Sequence, residues 1–250
     1  MINVIGGGRM GKAISSLLEK NGTRCTVTGR YDNLSERLAF SEIIFICTKP
    51  IDTPNIISVI NSEPDISNKL IVSCVSGIPM KVFEGKKQRK DNQQNSNVIR
   101  MMANLPIAVG SGTITYSVNK HVSWKFIEKF LTITKGPYKL LVQDEKLLDV
   151  STVLTGCYPA IFAFLAEESL SFGQENGFTK EESLQLFSQT ILGTLKILEN
   201  KSTDAIIQEV CSPGGITLAS LRYLESENVN NSLRTSFNLA LEKVEKISKN

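Results

Sequence analysis

The sequence predicts an α/β protein, in which a doubly wound parallel sheet occupies the N-terminal part and an all-helical domain follows. Two observations carry this prediction. Short β-branched runs alternate with helical or polar segments in the first half of the chain, and long helical segments replace them after about residue 147. We therefore expect two domains, spanning residues 1–146 and 147–250.

Five apolar runs in the first half have the length and composition of buried strands. They are residues 2–5, 25–29, 43–48, 70–77 and 97–102. The intervals between them have the length of crossover helices, and this rhythm is typical of a parallel sheet covered by helices on both faces.

A glycine-rich turn follows the first strand. Gly6, Gly8 and Gly11 have the spacing G-x-G-x-x-G between the strand at residues 2–5 and an amphipathic helix. In a Rossmann-type site the first glycine permits the tight turn, the second lets the backbone approach a pyrophosphate, and the third lets the helix pack closely on the strand. Amides at the helix start would then face the phosphates, so we predict a dinucleotide site.

The end of the second strand bears on the choice between NAD and NADP. An NAD site usually carries an acidic residue there, which accepts hydrogen bonds from the ribose hydroxyls. This strand is followed by Gly29 and Arg30, and a guanidinium suits the 2′-phosphate of NADP. We therefore predict NADP, with NADPH preferred, although Asp32 lies two residues further on and would favour NAD.

The helical part begins with the apolar stretch at residues 158–175. Thr179 and Glu182 then have the spacing of a capping box, and the next helix is expected to run towards Glu199. Its apolar stripe consists of Leu184, Phe187, Ile191, Leu195 and Leu198. Further helices are expected after residues 212–215 and over residues 232–249. The stripe is wide enough to indicate burial against a second chain, as in a homodimer or higher homo-oligomer.

Composition and charge favour a cytoplasmic protein that binds neither nucleic acid nor membrane. The net charge is +3, and the basic segment within residues 84–97 lacks interleaved aromatic residues, as expected of a solvated loop or frayed helix end. The first strand leaves no room for a signal peptide. The apolar run at residues 160–166 ends at Glu167, far short of a membrane span, and predicts a buried helix.

Cysteine and histidine usage points away from a zinc site. The five cysteines are widely spaced with no C-x-x-C pair, and His121 is the only histidine. Reduced, mostly buried cysteines are the expected state.

A dinucleotide domain joined to a helical domain could catalyse several reactions. Which of them is predicted depends on whether basic side chains lie near the hydride donor. A 3-hydroxy acid dehydrogenase needs a general base near the hydride donor, but residues 147–179 contain no Lys, Arg or His. Reduction of a cyclic imine needs no strong base, because the imine enters protonated and the protein mainly orients and desolvates it.

Six sequence blocks resemble the pyrroline-5-carboxylate reductase family over essentially the whole chain. They are IGGGRMGKAI (5–14), FICTKP (45–50), VSCVSGI (72–78), VIRMMANLPIAVGSG (98–112), DVSTVLTGCYPA (149–160) and SPGGITLASL (212–221). The resemblance implies NADPH-dependent reduction of 1-pyrroline-5-carboxylate to proline. It also implies a helical domain that dimerises by interleaving with its mate, close to the active site.

The block SPGGITLASL is the predicted substrate site. Free amides and the positive end of a helix converge after Ser212, Gly214 and Gly215, and a substrate carboxylate fits there. By the resemblance, Thr217 also binds substrate and is catalytic, because the matching threonine hydrogen-bonds the ring nitrogen.

The predicted cofactor residues come from the first four blocks and from the tip of the second strand. They are Gly6, Gly8, Arg9, Met10, Gly11, Arg30, Thr48, Lys49, Pro50, Ser76, Gly77 and Asn104. Thr48, Lys49 and Pro50 follow the third strand, where doubly wound sheets collect their ligands.

Several positions depart from the family pattern and keep other functions open. Besides MANLP at residues 102–106, they include Cys157, Tyr158, Gln208 and Ile216, of which Tyr158 replaces a glycine at a helix start. One alternative is a paralogue that reduces another small cyclic imine. Another is a non-catalytic dimer that binds NADP.

Overall fold

The structure, a computed structural model, describes residues 1–29, 32–84 and 96–249. The chain divides into two compact units, which are Met1–Pro159 with Ala240–Asn250, and Ala160–Leu239. The domain boundary predicted after residue 146 stays a prediction. The division into compact units falls after Pro159 instead, and residues 240–250 belong to the first unit.

One mixed sheet forms the centre of the first unit. In the described part of the chain its strands are β1 (Ile2–Ile5), β2 (Cys25–Thr28), β3 (Ile43–Ile46), β4 (Leu70–Ser73), β5 (Asn97–Ala103), β6 (Thr113–Val118) and β7 (Tyr138–Leu141). Their order is β2-β1-β3-β4-β5-β6-β7. The five predicted strands are confirmed and pair in parallel, whereas β6 and β7 were not predicted.

The sheet contains one antiparallel pair, β5 with β6. Residues 104–112 connect these strands, and a parallel crossover needs about a dozen residues or more. Gly110 and Gly112 both have positive φ in this connection, so the chain reverses direction where a side chain would be strained.

Helices cover both faces of the sheet, as predicted. They are α1 (Arg9–Lys20), α2 (Leu34–Ala39), α3 (Thr53–Ser62) and α4 (Trp124–Ile133). The core under α1 and α4 includes Ile14, Leu17 and Leu18 of the amphipathic helix α1. The core under α2 and α3 includes Leu38 and Ile60. The α/β fold class is therefore confirmed.

The remainder of the chain is helical, which confirms the second half of the predicted fold. It comprises α5 (Leu147–Ser151), a π-helical turn (Thr152–Cys157), α6 (Tyr158–Glu175), α7 (Lys180–Leu198), α8 (Thr203–Val210), α9 (Ile216–Ser226) and α10 (Val229–Lys249). Of the basic segment predicted to be a solvated loop, residues 85–95 lie outside the described residues.

The start of α7 has the predicted capping box. The Glu182 amide donates to Thr179 Oγ1 at 3.2 Å, and the Thr179 amide donates to Glu182 Oε2 at 2.8 Å. These bonds from Thr179 lower the pKa of the Glu182 carboxyl below its ordinary value. Two orphan amides of the helix start are satisfied in this way.

The prediction that α6 is a buried helix was wrong for the single chain, because none of its residues is buried. Within the helical stretch Leu147–Glu175, an 18-residue window has the length and mean hydropathy, 1.5, of a membrane-spanning helix, and 17% of that window is buried. An apolar helix that a second chain covers in an oligomer can have the same length and mean hydropathy.

Candidate functional site

A cavity of about 430 Å³ opens at the carboxyl ends of β1, β2 and β3. It is lined by Ile5, Gly6, Gly7, Gly8, Thr28, Gly29, Asp32, Leu34, Cys47, Thr48, Lys49, Asp52, Asn55, Ile56 and Val59. The predicted residues Gly6, Gly8, Thr48 and Lys49 thus meet in one place. The volume lies in the range of small-molecule sites.

The glycine turn has the geometry that its spacing predicts. Gly6 has φ +105°, and a Cβ there would lie 2.8 Å from the Cys47 carbonyl oxygen. A Cβ on Gly11 would lie 1.8 Å from the Gly6 carbonyl oxygen. A Cβ on Gly8 would meet nothing within 4 Å, since this residue faces open space in the cavity. The first and third glycines are thus required by packing, whereas the second leaves room for a ligand.

The start of α1 presents unsatisfied amides to this cavity. Gly8 is the N-cap, and no side chain of the described residues caps the helix. The first turn contains no acidic residue, and it begins with Arg9. A helix start of this kind attracts an anion through its free amides and dipole. Met10, the next predicted residue, packs against the core under α1.

The segment after β3 forms the opposite wall. The Thr48 hydroxyl oxygen is buried and has no partner among the described residues. A buried hydroxyl without a partner is costly, so its position at a cavity indicates a ligand group that bonds it. Lys49 is exposed and is the one basic side chain among the described lining residues. Pro50 begins the 3₁₀ turn Pro50–Asp52 that leads into α3.

The edge of the cavity next to β2 carries an acidic group. The Gly29 amide donates to Asp32 Oδ2 at 2.6 Å, which folds this carboxylate back onto the strand end. Arg30, the residue predicted to bind a 2′-phosphate, lies outside the described residues.

Ser76 and Gly77, predicted near the nicotinamide end, lie in the turn after β4 and not among the cavity-lining residues. Gly77 has φ +74°, and a Cβ there would lie 2.7 Å from Ile247 Cγ2 and 3.1 Å from the Val244 carbonyl oxygen. The end of α10 therefore packs against this turn, a contact between segments far apart in sequence that local pattern does not predict.

Asn104, also predicted to border the cofactor, joins three segments of the first unit. Its Oδ1 accepts from the Thr113 amide at 2.9 Å, and its Nδ2 donates to the Thr155 carbonyl oxygen at 3.4 Å. These bonds fix the connection between β5 and β6 against the π-helical turn. A role in binding cofactor stays a prediction.

A cluster of ion pairs surrounds a buried arginine of β5. Arg100 in β5 is 2% exposed, and its guanidinium bonds Glu145 at 2.9 Å and Asp149 at 2.6 Å. Glu145 also accepts from the Met80 amide. Sequence reasoning missed this cluster, although an arginine within the apolar run VIRMMA was a usable signal.

The predicted substrate residues lie together in the second unit. The Gly215 amide donates to the Ser212 carbonyl oxygen at 2.9 Å, and Gly214 has φ +73°, so residues 212–215 form a tight turn. Helix α9 starts directly afterwards, with no side-chain cap among the described residues. Thr217 lies exposed in its first turn. The amides and this hydroxyl are free to meet a ligand.

Several lining residues were missed by sequence reasoning, notably Thr28, Cys47 and Asn55. Thr28 ends β2 and Cys47 follows β3 directly. Because the ligands of doubly wound sheets collect at strand carboxyl ends, the register of the strands would have found these two. Asn55 lies in α3, so its presence in the cavity lining depends on how that helix packs.

Comparison with known proteins adds independent findings. Residues 145–247 match the model of the pyrroline-5-carboxylate reductase dimerisation domain. Pyrroline-5-carboxylate reductase of Aquifex aeolicus is 26% identical over 210 residues, which are 83% of this chain and 76% of that protein. Human pyrroline-5-carboxylate reductase 2 is 29% identical over 217 residues, 84% of this chain and 64% of the human protein. The alignment therefore spans slightly less than two thirds of the human relative.

Two solved structures share the fold. Plasmodium falciparum pyrroline carboxylate reductase with NADP bound has a TM-score of 0.87 and 23% identity, covering 99% of this chain and 97% of that one. A pyrroline-5-carboxylate reductase from Coxiella burnetii has a TM-score of 0.76 and 22% identity, covering 100% and 98%. The domain match, the curated relatives and the shared fold agree with the six sequence blocks in their similarity to pyrroline-5-carboxylate reductases.

Proposed function

We propose that this chain is an oxidoreductase that reduces the C=N bond of 1-pyrroline-5-carboxylate to give proline, with NADPH preferred over NADH. The observation that carries the proposal is the cavity at the ends of β1–β3, which joins the glycine turn to the unpaired Thr48 hydroxyl. The names of its relatives supply the reaction class, and the site residues supply the chemistry.

The residues around the cavity fit a dinucleotide. The free amides at the start of α1 and the side chain of Arg9 suit a pyrophosphate, and Gly8 leaves space on that side. Thr48 offers a hydroxyl and Lys49 a positive charge. When bound, the reduced nicotinamide supplies the hydride that the reaction requires.

The start of α9 suits the other reactant. The amides that follow Gly214, together with the Ser212 hydroxyl, would bind the carboxylate of a cyclic imine. Thr217 would hydrogen-bond the ring nitrogen and orient the C=N bond. The substrate already carries its proton, so these residues have to position it and exclude water rather than supply a strong base.

A second candidate is the reduction of another small cyclic imine. Ile216, directly before Thr217, is 92% exposed, and an apolar side chain at this helix start would select for a different ring or substituent. Tyr158 adds an aromatic ring where the family usually has glycine. A dimer that binds NADP without catalysis is the remaining alternative, and the retained Thr217 speaks against it.

The decisive experiment measures NADPH consumption with pyrroline-5-carboxylate, its six-membered homologue and unsubstituted pyrroline. We expect the first to be the preferred substrate. A preference for either of the others would establish the paralogue, and no turnover with any of them would favour the non-catalytic protein.

Thr217→Ala separates catalysis from cofactor binding in the same assay. Turnover should fall while the dissociation constant for NADPH, measured by fluorescence, stays the same. Unchanged turnover would remove Thr217 from the mechanism.

Two variants of the segment that follows β2 test the preference for NADPH over NADH. Arg30→Ala should lower the ratio of NADPH to NADH affinity, because it removes the proposed partner of the 2′-phosphate. Asp32→Asn should raise that ratio, because it removes a carboxylate that repels the phosphate and accepts from the ribose hydroxyls. If neither variant changes the ratio, the preference is set elsewhere.

A further inference from the structure

Two cysteines lie side by side where β3 and β4 end. The last paired residues of these strands are Ile46 and Ser73, and Cys47 and Cys74 follow them directly. The Cys74 amide donates to the Ile46 carbonyl oxygen at 2.9 Å, so the parallel ladder continues through the pair. Both side chains pack against the core under α1, and they therefore point to the same face of the sheet.

The two thiols are in contact. The Cys74 thiol donates a hydrogen bond to the Cys47 sulfur, and this bond together with burial raises the pKa of Cys74 well above its ordinary value. Neighbouring strands lie about 4.8 Å apart, and disulfides join residues whose Cα atoms are about 4.4–6.8 Å apart. The backbone is therefore already close enough for a bridge.

Cys47 connects this pair to the cavity. It is half-buried and lines the cavity wall, so we expect a small oxidant to reach its side chain through the cavity. Its carbonyl oxygen is the atom closest to the Gly6 turn, 2.8 Å from where a Cβ would stand, and its amide bonds the Ile5 carbonyl oxygen at 2.8 Å. A shift of the Cys47 backbone therefore disturbs the glycine turn and the adjacent Thr48.

We propose that Cys47 and Cys74 are a peroxide-sensitive dithiol, whose oxidation to a disulfide weakens dinucleotide binding in the cavity. The Cys47 sulfur, as thiolate, attacks one oxygen of the peroxide and becomes a sulfenic acid, and one water leaves. The Cys74 sulfur then attacks the sulfenic sulfur, which releases a second water and forms the S–S bond. Two thiols lose two electrons and two protons, and one hydrogen peroxide is reduced to two waters.

The bridge changes the cavity because it fixes the side chain of Cys47, a lining residue, with its Cβ about 3.8 Å from that of Cys74. The Cys47 backbone, which contacts Gly6 and precedes Thr48, adjusts to this geometry, and the cavity wall changes with it. The effect on dinucleotide binding rests on the proposed function, whereas the bridge itself does not.

Trypsin and mass spectrometry test the bridge directly. Cleavage leaves Cys47 in peptide 38–69, since the Lys49–Pro50 bond resists trypsin, and leaves Cys74 in peptide 70–81. After treatment of the purified protein with hydrogen peroxide we expect these two peptides to be linked, and dithiothreitol to separate them. Failure to find the linked pair, or a product with only Cys47 overoxidised, would overturn the proposal.

NADPH binding by the same samples tests the consequence. We expect oxidation to weaken NADPH binding by about tenfold or more, a typical size for coupling between sites, and dithiothreitol to restore it. Saturating NADPH should in turn slow formation of the linked peptides, because coupling is reciprocal. Linked peptides with unchanged NADPH affinity would overturn the coupling.

Two variants distinguish the effect of the Cys47–Cys74 bridge from the effect of oxidising other residues. Cys74→Ser leaves the lining of the cavity intact and should bind NADPH normally before and after peroxide. Cys25→Ser, a half-buried cysteine on β2, should remain as sensitive as the natural protein. Loss of NADPH binding by oxidised Cys74→Ser would show that the disulfide is not what weakens binding. If the reduced protein binds no NADPH, the proposed function fails, and the peptide measurement still decides whether the bridge forms.

Discussion

The two compact units differ in what covers their apolar side chains. The first unit holds two cores on opposite faces of the sheet. In residues 160–239, all of which are described, no apolar side chain is buried. Phe164 and Phe172 on α6, for example, are each 69% exposed.

This contrast shows how each unit obtains its stability. The sheet unit buries its apolar surface within one chain, so its fold is specified internally. The helical residues match a dimerisation domain, and we expect a second copy to cover the exposed faces. The glycine cavity lies in the first unit, and the start of α9 lies in the second.

The largest effect is expected where a buried charge would lose its partner in the first unit. Arg100→Met should lower the free energy of unfolding by about 3–5 kcal/mol, because it leaves Glu145 and Asp149 without their buried cation. Urea denaturation measures this loss.

The exposed pair Lys201–Glu209 of the second unit is the matched control. Lys201→Met should cost less than about 1 kcal/mol, since water screens an exposed pair. Similar losses in both variants would contradict the contrast between the units.

The next effect concerns a glycine in each unit. Gly11→Ala should lower the free energy of unfolding by about 3 kcal/mol, since the added carbon would lie 1.8 Å from the Gly6 carbonyl oxygen. Gly193→Ala in α7 should be neutral or stabilise by up to about 1 kcal/mol, because its Cβ meets nothing within 4 Å. Thermal denaturation of both variants checks this, and a strong loss at Gly193 would mean that another chain lies against it.

The smallest effect is on association. Phe164→Ser should weaken dimerisation by about 2 kcal/mol, roughly thirtyfold in the dissociation constant, if a second copy buries the ring. Sedimentation at several concentrations measures it. Trp124→Ser, which removes a 72% exposed ring from α4 in the first unit, should leave association unchanged. If Trp124→Ser weakened association and Phe164→Ser did not, the dimer contact would lie on the first unit.

Local pattern determined much of this protein. The short β-branched, apolar runs predicted the first five strands, the glycine spacing predicted the turn at β1, and Thr179 with Glu182 predicted the start of α7. Each of these features depends on residues close together in the chain, whose conformational preferences act before any tertiary contact forms. The family blocks predicted the reaction class in the same local way.

Only the tertiary structure decided which distant residues meet. It placed Cys47 beside Cys74, Arg100 beside Asp149, Asn104 beside Thr113, and the end of α10 against Gly77. It also showed that α6 is exposed in the single chain, although its composition predicted burial. Strand register and the packing of distant segments decide such contacts, because pairing between segments far apart in sequence is not encoded in the periodicity of either one.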